Sequence, residues 1–213
     1  MNQERTCEAS DESLIRAVRD GQVELYAQLI ERYQQRLYVY CYHLLMQREE
    51  AEDAVQDVLI KAYEKLALYA YSQSFSAWLY KMAYHHCLNL LRKRKRSALL
   101  ARLLKPLGQD QADEGYAAAR RKEVLAQSER ALMRLTVAER SLIVLRVMEG
   151  KSYEEIGQTF PQSPAALRKR MERALFKLKK IWGKMEDGED EEEPAYRLAR
   201  ESDVAEGATA PNR

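Results

Sequence analysis

Glycine and proline are scarce in this chain: 8 and 5 of 213 residues, against 32% charged residues. So few backbone breakers beside so much charge argue against a strand-rich sandwich and for long helices with polar faces. No stretch of convincing length alternates with the period of a strand. No apolar run approaches the ~18 uninterrupted residues of a membrane span, and no basic segment followed by an apolar one opens the chain. The expectation is a cytoplasmic protein without membrane insertion. The cysteines, Cys7, Cys41 and Cys87, are odd in number and share neither CxxC nor metal-ligand spacing, which fits a reducing compartment. His85, His86 and Cys87 are adjacent, and neighbours on a helix point in different directions, so they cannot chelate together. No catalytic residue, metal or cofactor is expected.

Charge is distributed as unevenly as it is plentiful. Eight Lys or Arg and no acid lie between Lys81 and Lys105, and eight cations with Glu172 as the only acid lie between Arg168 and Lys184. From Glu186 to Glu193 every residue but Gly188 is acidic. Two basic blocks in a chain of formal net charge +2 suggest two contacts with a polyanion rather than a general affinity for one.

Almost everything reads as helix. "SDESLIRAVRDG" gives a short helix ending at Gly21, and "QVELYAQLIERYQQRLYVYCYHLLM" a second. A third runs from Arg48 to Leu66, and a fourth from about Phe75 to Arg96 after the loop "ALYAYSQS". Pro106, Gly108 and Gly115 among polar residues mark a linker. Beyond it, Thr136 with Glu139 and Ser152 with Glu155 are capping boxes, Ser163 is an N-cap, and Pro164 occupies the first helical position, where its missing N–H costs nothing. A short helix, a turn of about three residues and a longer basic helix form the spacing of a helix-turn-helix. The fold class is all-α, two helical domains joined by a flexible linker: 1–97, linker 98–122, 123–183, then a disordered acidic tail 184–213.

On the last helix, Leu167, Met171, Ala174, Leu175, Leu178, Ile181 and Trp182 make an apolar stripe. Ala165, Ala166, Arg168, Lys169, Glu172, Arg173 and Phe176 fall opposite. Small residues in the first turn let a recognition helix approach the major groove closely, and Arg168 or Arg173 can fork onto guanine. Lys177 and Lys180 suit phosphates. On the third helix, Ala51, Val55, Val58, Leu59, Ala62 and Leu66 form the core stripe. Ile60 lies on the opposite face among Asp53, Gln56, Asp57 and Glu64, and an apolar side chain ringed by charge marks a protein contact. The fourth helix turns Trp78, Lys81, His85, Asn89, Arg92 and Arg96 outward, and the loop before it supplies Tyr69, Tyr71 and Phe75. Aromatic rings beside cations suit unstacked single-stranded bases.

The span Ala131 to Lys180 resembles region four of the bacterial extracytoplasmic-function sigma factors, and Leu25 to Arg96 resembles their region two. The resemblance implies a promoter-specificity subunit of RNA polymerase without catalysis of its own. It implies docking of Asp53, Gln56, Asp57 and Ile60 on the clamp helices of the polymerase largest subunit, and a flap contact elsewhere. Opening of the minus-ten element falls to Tyr69, Tyr71, Trp78, Lys81, His85, Asn89, Arg92 and Arg96. Reading of the minus-thirty-five element falls to Ser163, Ala165, Ala166, Arg168, Lys169, Glu172, Arg173 and Lys177. Promoter DNA and an anti-sigma factor are the further partners. The chain departs from the family at Pro161, where a turn glycine is usual, at Ala165-Ala166 in place of Gly-Thr, and at His85 and Asn89 in place of Asn and Asp. A stand-alone helix-turn-helix regulator would need a dimerisation surface or ligand pocket, and a helical metal-dependent enzyme would need converging His and carboxylate groups.

Overall fold

Capping and apolar periodicity decide where each helix of this chain starts and which face it buries. The computed structural model describes residues 9–104 and 127–186, and every regular element among them is helical. Helix α1 (Asp11–Arg19) starts where Ser10 accepts the Ser13 N–H at 3.2 Å, and it carries acids in its first turn and arginines in its last, as its dipole favours. A 3-10 turn, Val23–Leu25, interrupts what the sequence reads as one continuous second helix, so α2 spans Tyr26–Leu45. Met46 then ends it in the left-handed region, φ 53°. Helix α3 (Arg48–Glu64) follows. Helix α4 (Phe75–Leu104) runs past Ser97, where the linker was expected, because Ala98–Leu104 are all good helix formers and the first breaker is Pro106. The acidic tail and most of the expected linker lie outside the described residues.

The second group begins with α5, helical over 127–133, and continues with α6 (Val137–Ile143), α7 (Tyr153–Thr159) and α8 (Pro164–Glu186). Both capping boxes form as expected, each Ser or Thr accepting the third N–H and each Glu reaching back. After α6 the chain widens into a π turn, Val144–Met148, and Gly150 reverses it at φ +64°. In the helix-turn-helix, a Cβ on Gly157 would stand 3.2 Å from the Gln162 carbonyl, a tighter approach than most Cβ atoms make, so any other residue would press on the turn. The turn itself is shaped by Pro161, which confines Phe160 to an extended conformation (φ −118°, ψ 138°) and so ends α7.

The two groups meet face to face, and one apolar core runs through Leu37, Tyr40, Leu44, Leu79 and Tyr80 on one side to Leu142, Leu145 and Ile156 on the other. Polar ties cross the same boundary. Tyr40 Oη and Ser141 Oγ are 2.6 Å apart, and Glu149 accepts from Arg36 Nε at 2.8 Å and from the Tyr80 hydroxyl at 2.5 Å. Arg140, only 6% exposed, donates to the Leu44 carbonyl at 3.0 Å. Its partners are carbonyls, and burial lowers its pKa to about 10. The Phe160 ring stands edge-on to Tyr84, 4.9 Å between centroids.

Candidate functional site

The residues expected to make contacts fall on three surfaces. On the outer face of α3, Asp53, Gln56, Asp57 and Ile60 are all exposed, with Ile60 at 57%. The buried stripe opposite, from Ala51 to Ala62, is the one periodicity demands, and Ala54 joins it. The Asp57 carboxylate pairs with Lys61 at 3.4 Å and faces His86 at 3.6 Å, so the acidic face borders the basic one. A shallow groove of about 450 Å³ extends this face onto α2 through Gln34, Gln35 and Tyr38, beside Glu52, Val55 and Gln56. Sequence reasoning missed these α2 residues, since nothing in a polar helix face says which neighbouring helix it borders.

The second surface is a groove of about 530 Å³ between α3 and α4. It brings together Trp78, Lys81, His85 and Asn89, all expected, with Lys61, Lys65, Leu68, Gln73 and His86, which were not. Lys61 and Lys65 repeat at i and i+4, and that spacing alone could have placed them on one edge. Burial, with Lys81 and Arg92 adding to it, lowers the pKa of His85; burial and Lys61 lower that of His86, against the pull of Asp57. Burial thus favours the neutral form of both imidazoles. Arg92 and Arg96 continue the basic edge, exposed, along α4.

Tyr69 is a correction. It is 3% exposed, donates to the Gln73 carbonyl at 2.7 Å and packs edge-on against Phe75, itself buried. A ring directly after a 3-10 turn is folded under the loop, so Tyr69 is core and offers no open face to a base in this structure. Tyr71 stays 45% exposed, with the Arg19 guanidinium 5.2 Å from its centroid. Trp78 is half-buried against Tyr69 and Phe75, with one side open to the groove.

The third surface is α8. Ser163 accepts the Ala166 N–H at 3.3 Å, so it caps the helix, and Ala165, Ala166, Arg168, Lys169, Glu172 and Arg173 are exposed beyond it. Lys177 is turned instead toward α6, where its Nζ meets Glu139 Oε1 at 2.5 Å. Burial opposes ionisation of Glu139, but Lys177 and Thr136 outweigh it and hold the carboxyl below its usual range. Leu175, expected in the stripe, is 45% exposed and lies off the line of Leu167, Met171, Ala174, Leu178 and Ile181 that packs on the core. Leu175, Leu178 and Trp182 line an open apolar groove there.

Among the described residues, no helix is long and apolar enough to cross a membrane, and no three His, Cys, Asp or Glu converge as metal ligands. Comparison with known proteins gives two family matches: Sigma-70 region 2 over residues 29–97, and Sigma-70, region 4 over residues 126–178. The chain is 28% identical over 184 residues to the ECF RNA polymerase sigma factor SigM of Mycobacterium tuberculosis, covering 85% of this chain and 89% of that protein. Two solved structures share the fold. CnrH, in complex with the cytosolic domain of CnrY, gives a TM-score of 0.61 at 23% identity over 79% of this chain and 94% of that one. RpoE of Bartonella quintana, in complex with the anti-sigma factor NepR, gives 0.58 at 23% over 73% and 95%.

Proposed function

The chain belongs to the extracytoplasmic-function family of RNA polymerase sigma factors and directs promoter-specific initiation, and from that premise we propose how its surfaces divide the work. A sigma factor performs no catalysis itself. Polymerase holds it by the α3 face of Asp53, Gln56, Asp57 and Ile60, which docks on the clamp helices of the largest subunit, while the flap engages the second helical group. The groove between α3 and α4 takes the non-template strand of the opened minus-ten element. The observation that carries this reading is the groove's composition: Trp78 and Leu68 offer apolar walls to an unstacked base, and Lys61, Lys65 and Lys81 offer charge to its phosphates. Tyr71 flanks it, and Arg92 and Arg96 follow the backbone. Helix α8 reads the upstream element through Arg168, Lys169 and Arg173, with Ala165 and Ala166 allowing close approach. The protein acts in the cytoplasm, where polymerase is, and an anti-sigma factor restrains it, as the complex of the similar RpoE with NepR suggests.

Run-off transcription with core polymerase, followed by start-site mapping, tests this. Arg168→Ala should impair the upstream element, and Lys81→Ala or Asn89→Ala should impair strand opening with duplex binding retained. Specific, palindromic duplex binding by the protein alone would replace this reading with a free-standing regulator.

A further inference from the structure

A line of cations runs down α8. Lys169, Arg173, Lys177, Lys180 and Lys184 repeat at spacings of four, four, three and four residues, so at 100° per residue they fall within about 80° of one another. All are exposed. Lys177 is held by Glu139 of α6, and Arg173 donates to the Lys169 carbonyl at 3.2 Å. Among the described residues, Lys169, Arg173, Lys180 and Lys184 have no carboxylate partner. Like charges one turn apart destabilise a helix, so an extended polyanion laid along this line relieves that repulsion at several turns together.

The chain itself supplies such a polyanion where the line ends. Asp187 and Glu189 to Glu193 follow α8 directly, with Gly188 the only uncharged residue before Pro194. A glycine there permits a reversal at no steric cost. Beyond it, the acids Glu189 to Glu193 cover about 16 Å when extended, and residues 173 to 184 cover about 16 Å of helix axis. The spacing matches as well as the length. Alternate acids on one side of an extended chain stand about 6.6 Å apart, against about 6 Å between cations four residues apart on a helix. Each exposed pair contributes little alone. A short tether presents the run at an effective concentration on the order of mM, and several weak pairs then suffice.

We propose that the run Asp187 to Glu193 folds back along α8 and covers Arg173, Lys177, Lys180 and Lys184, so that duplex DNA must displace it. The proposal rests on the reading of α8 as a DNA-contacting helix and adds a competitor carried by the same chain. Stray duplex meets a neutralised helix, and α8 is uncovered where polymerase contacts add to the DNA contact.

The test compares the full chain with a full-length variant whose run is neutralised in place: Glu189→Gln, Asp190→Asn, Glu191→Gln, Glu192→Gln and Glu193→Gln. In amide NMR spectra without DNA, the resonances of Arg173, Lys177 and Lys180 should differ between the two chains at about 50 mM salt and converge at about 300 mM, as screening releases the run. In fluorescence anisotropy with a labelled duplex of arbitrary sequence, the variant should bind about 10-fold tighter at about 50 mM salt and within about 2-fold at about 300 mM, a salt slope steeper by about 1. Identical α8 resonances at low salt overturn the docking and leave a solvated tail that repels DNA at a distance. Shifted resonances with equal duplex affinity overturn the competition. Unchanged duplex affinity in Arg173→Ala places the failure in the reading of α8 instead, because the NMR comparison contains no DNA.

Discussion

Because the two helical groups pack on one another, Glu149 and Tyr80 should be energetically coupled, although 69 residues separate them in sequence. Replacing Glu149 by Ala removes the acceptor of both the Arg36 Nε and the Tyr80 hydroxyl. The Arg36 side chain is 45% exposed, so water takes over its donors and the lost pair costs about 0–1 kcal/mol. Tyr80 is 1% exposed, so its orphaned hydroxyl costs about 1–3 kcal/mol. The single variant should therefore lose about 1–4 kcal/mol, the sum of those two effects. Tyr80→Phe leaves Glu149 paired with Arg36 and should lose about 1 kcal/mol. In the double variant no hydroxyl is stranded, so the losses should fall short of additive by about 1–2 kcal/mol. Urea unfolding of wild type, both single variants and the double variant measures this directly. Additivity within about 0.4 kcal/mol would refute the contact, because residues on separated domains do not share a partner.

Two further outcomes are expected. Asp53→Lys should change stability by no more than about 0.5 kcal/mol, whereas Asp57→Lys sets a third basic group against Lys61 and His86 and should cost about 1 kcal/mol; the double variant should nevertheless lose about 100-fold in core polymerase affinity, and retained affinity in a binding assay would remove this face from the docking surface. Burial holds His43, His85 and His86 below the ordinary histidine pKa, so below pH 6.5 the unfolded chain takes up protons that the folded chain resists, and Tm should fall between pH 7.5 and 5.5; a rising Tm would contradict the burial of these rings.

The helical class and the N-caps were legible without a structure, although the 3-10 break before α2 and the end of α4 were not. Thr136 with Glu139, Ser152 with Glu155, and Ser163 before Pro164 satisfy their orphan N–H groups within four residues, so local chemistry is enough to find them. The sequence determined the outer faces of α3 and α8 as well, since a period of 3.6 residues assigns burial once the apolar stripe is known. Two matched segments in order, residues 29–97 and 126–178, carried the family. Only tertiary structure decided which surfaces adjoin. That Lys61 of α3 and Lys65 at its end complete a groove with α4, and that Tyr153 gathers Arg146 and Arg168, are facts of packing that a linear pattern does not state, as is the burial of Tyr69 under its loop. The same holds for Tyr40, Arg140 and Glu149: polar residues on apolar-rich helices read as surface until a second group of helices supplies the hydroxyl, carbonyl or guanidinium that lets them be buried.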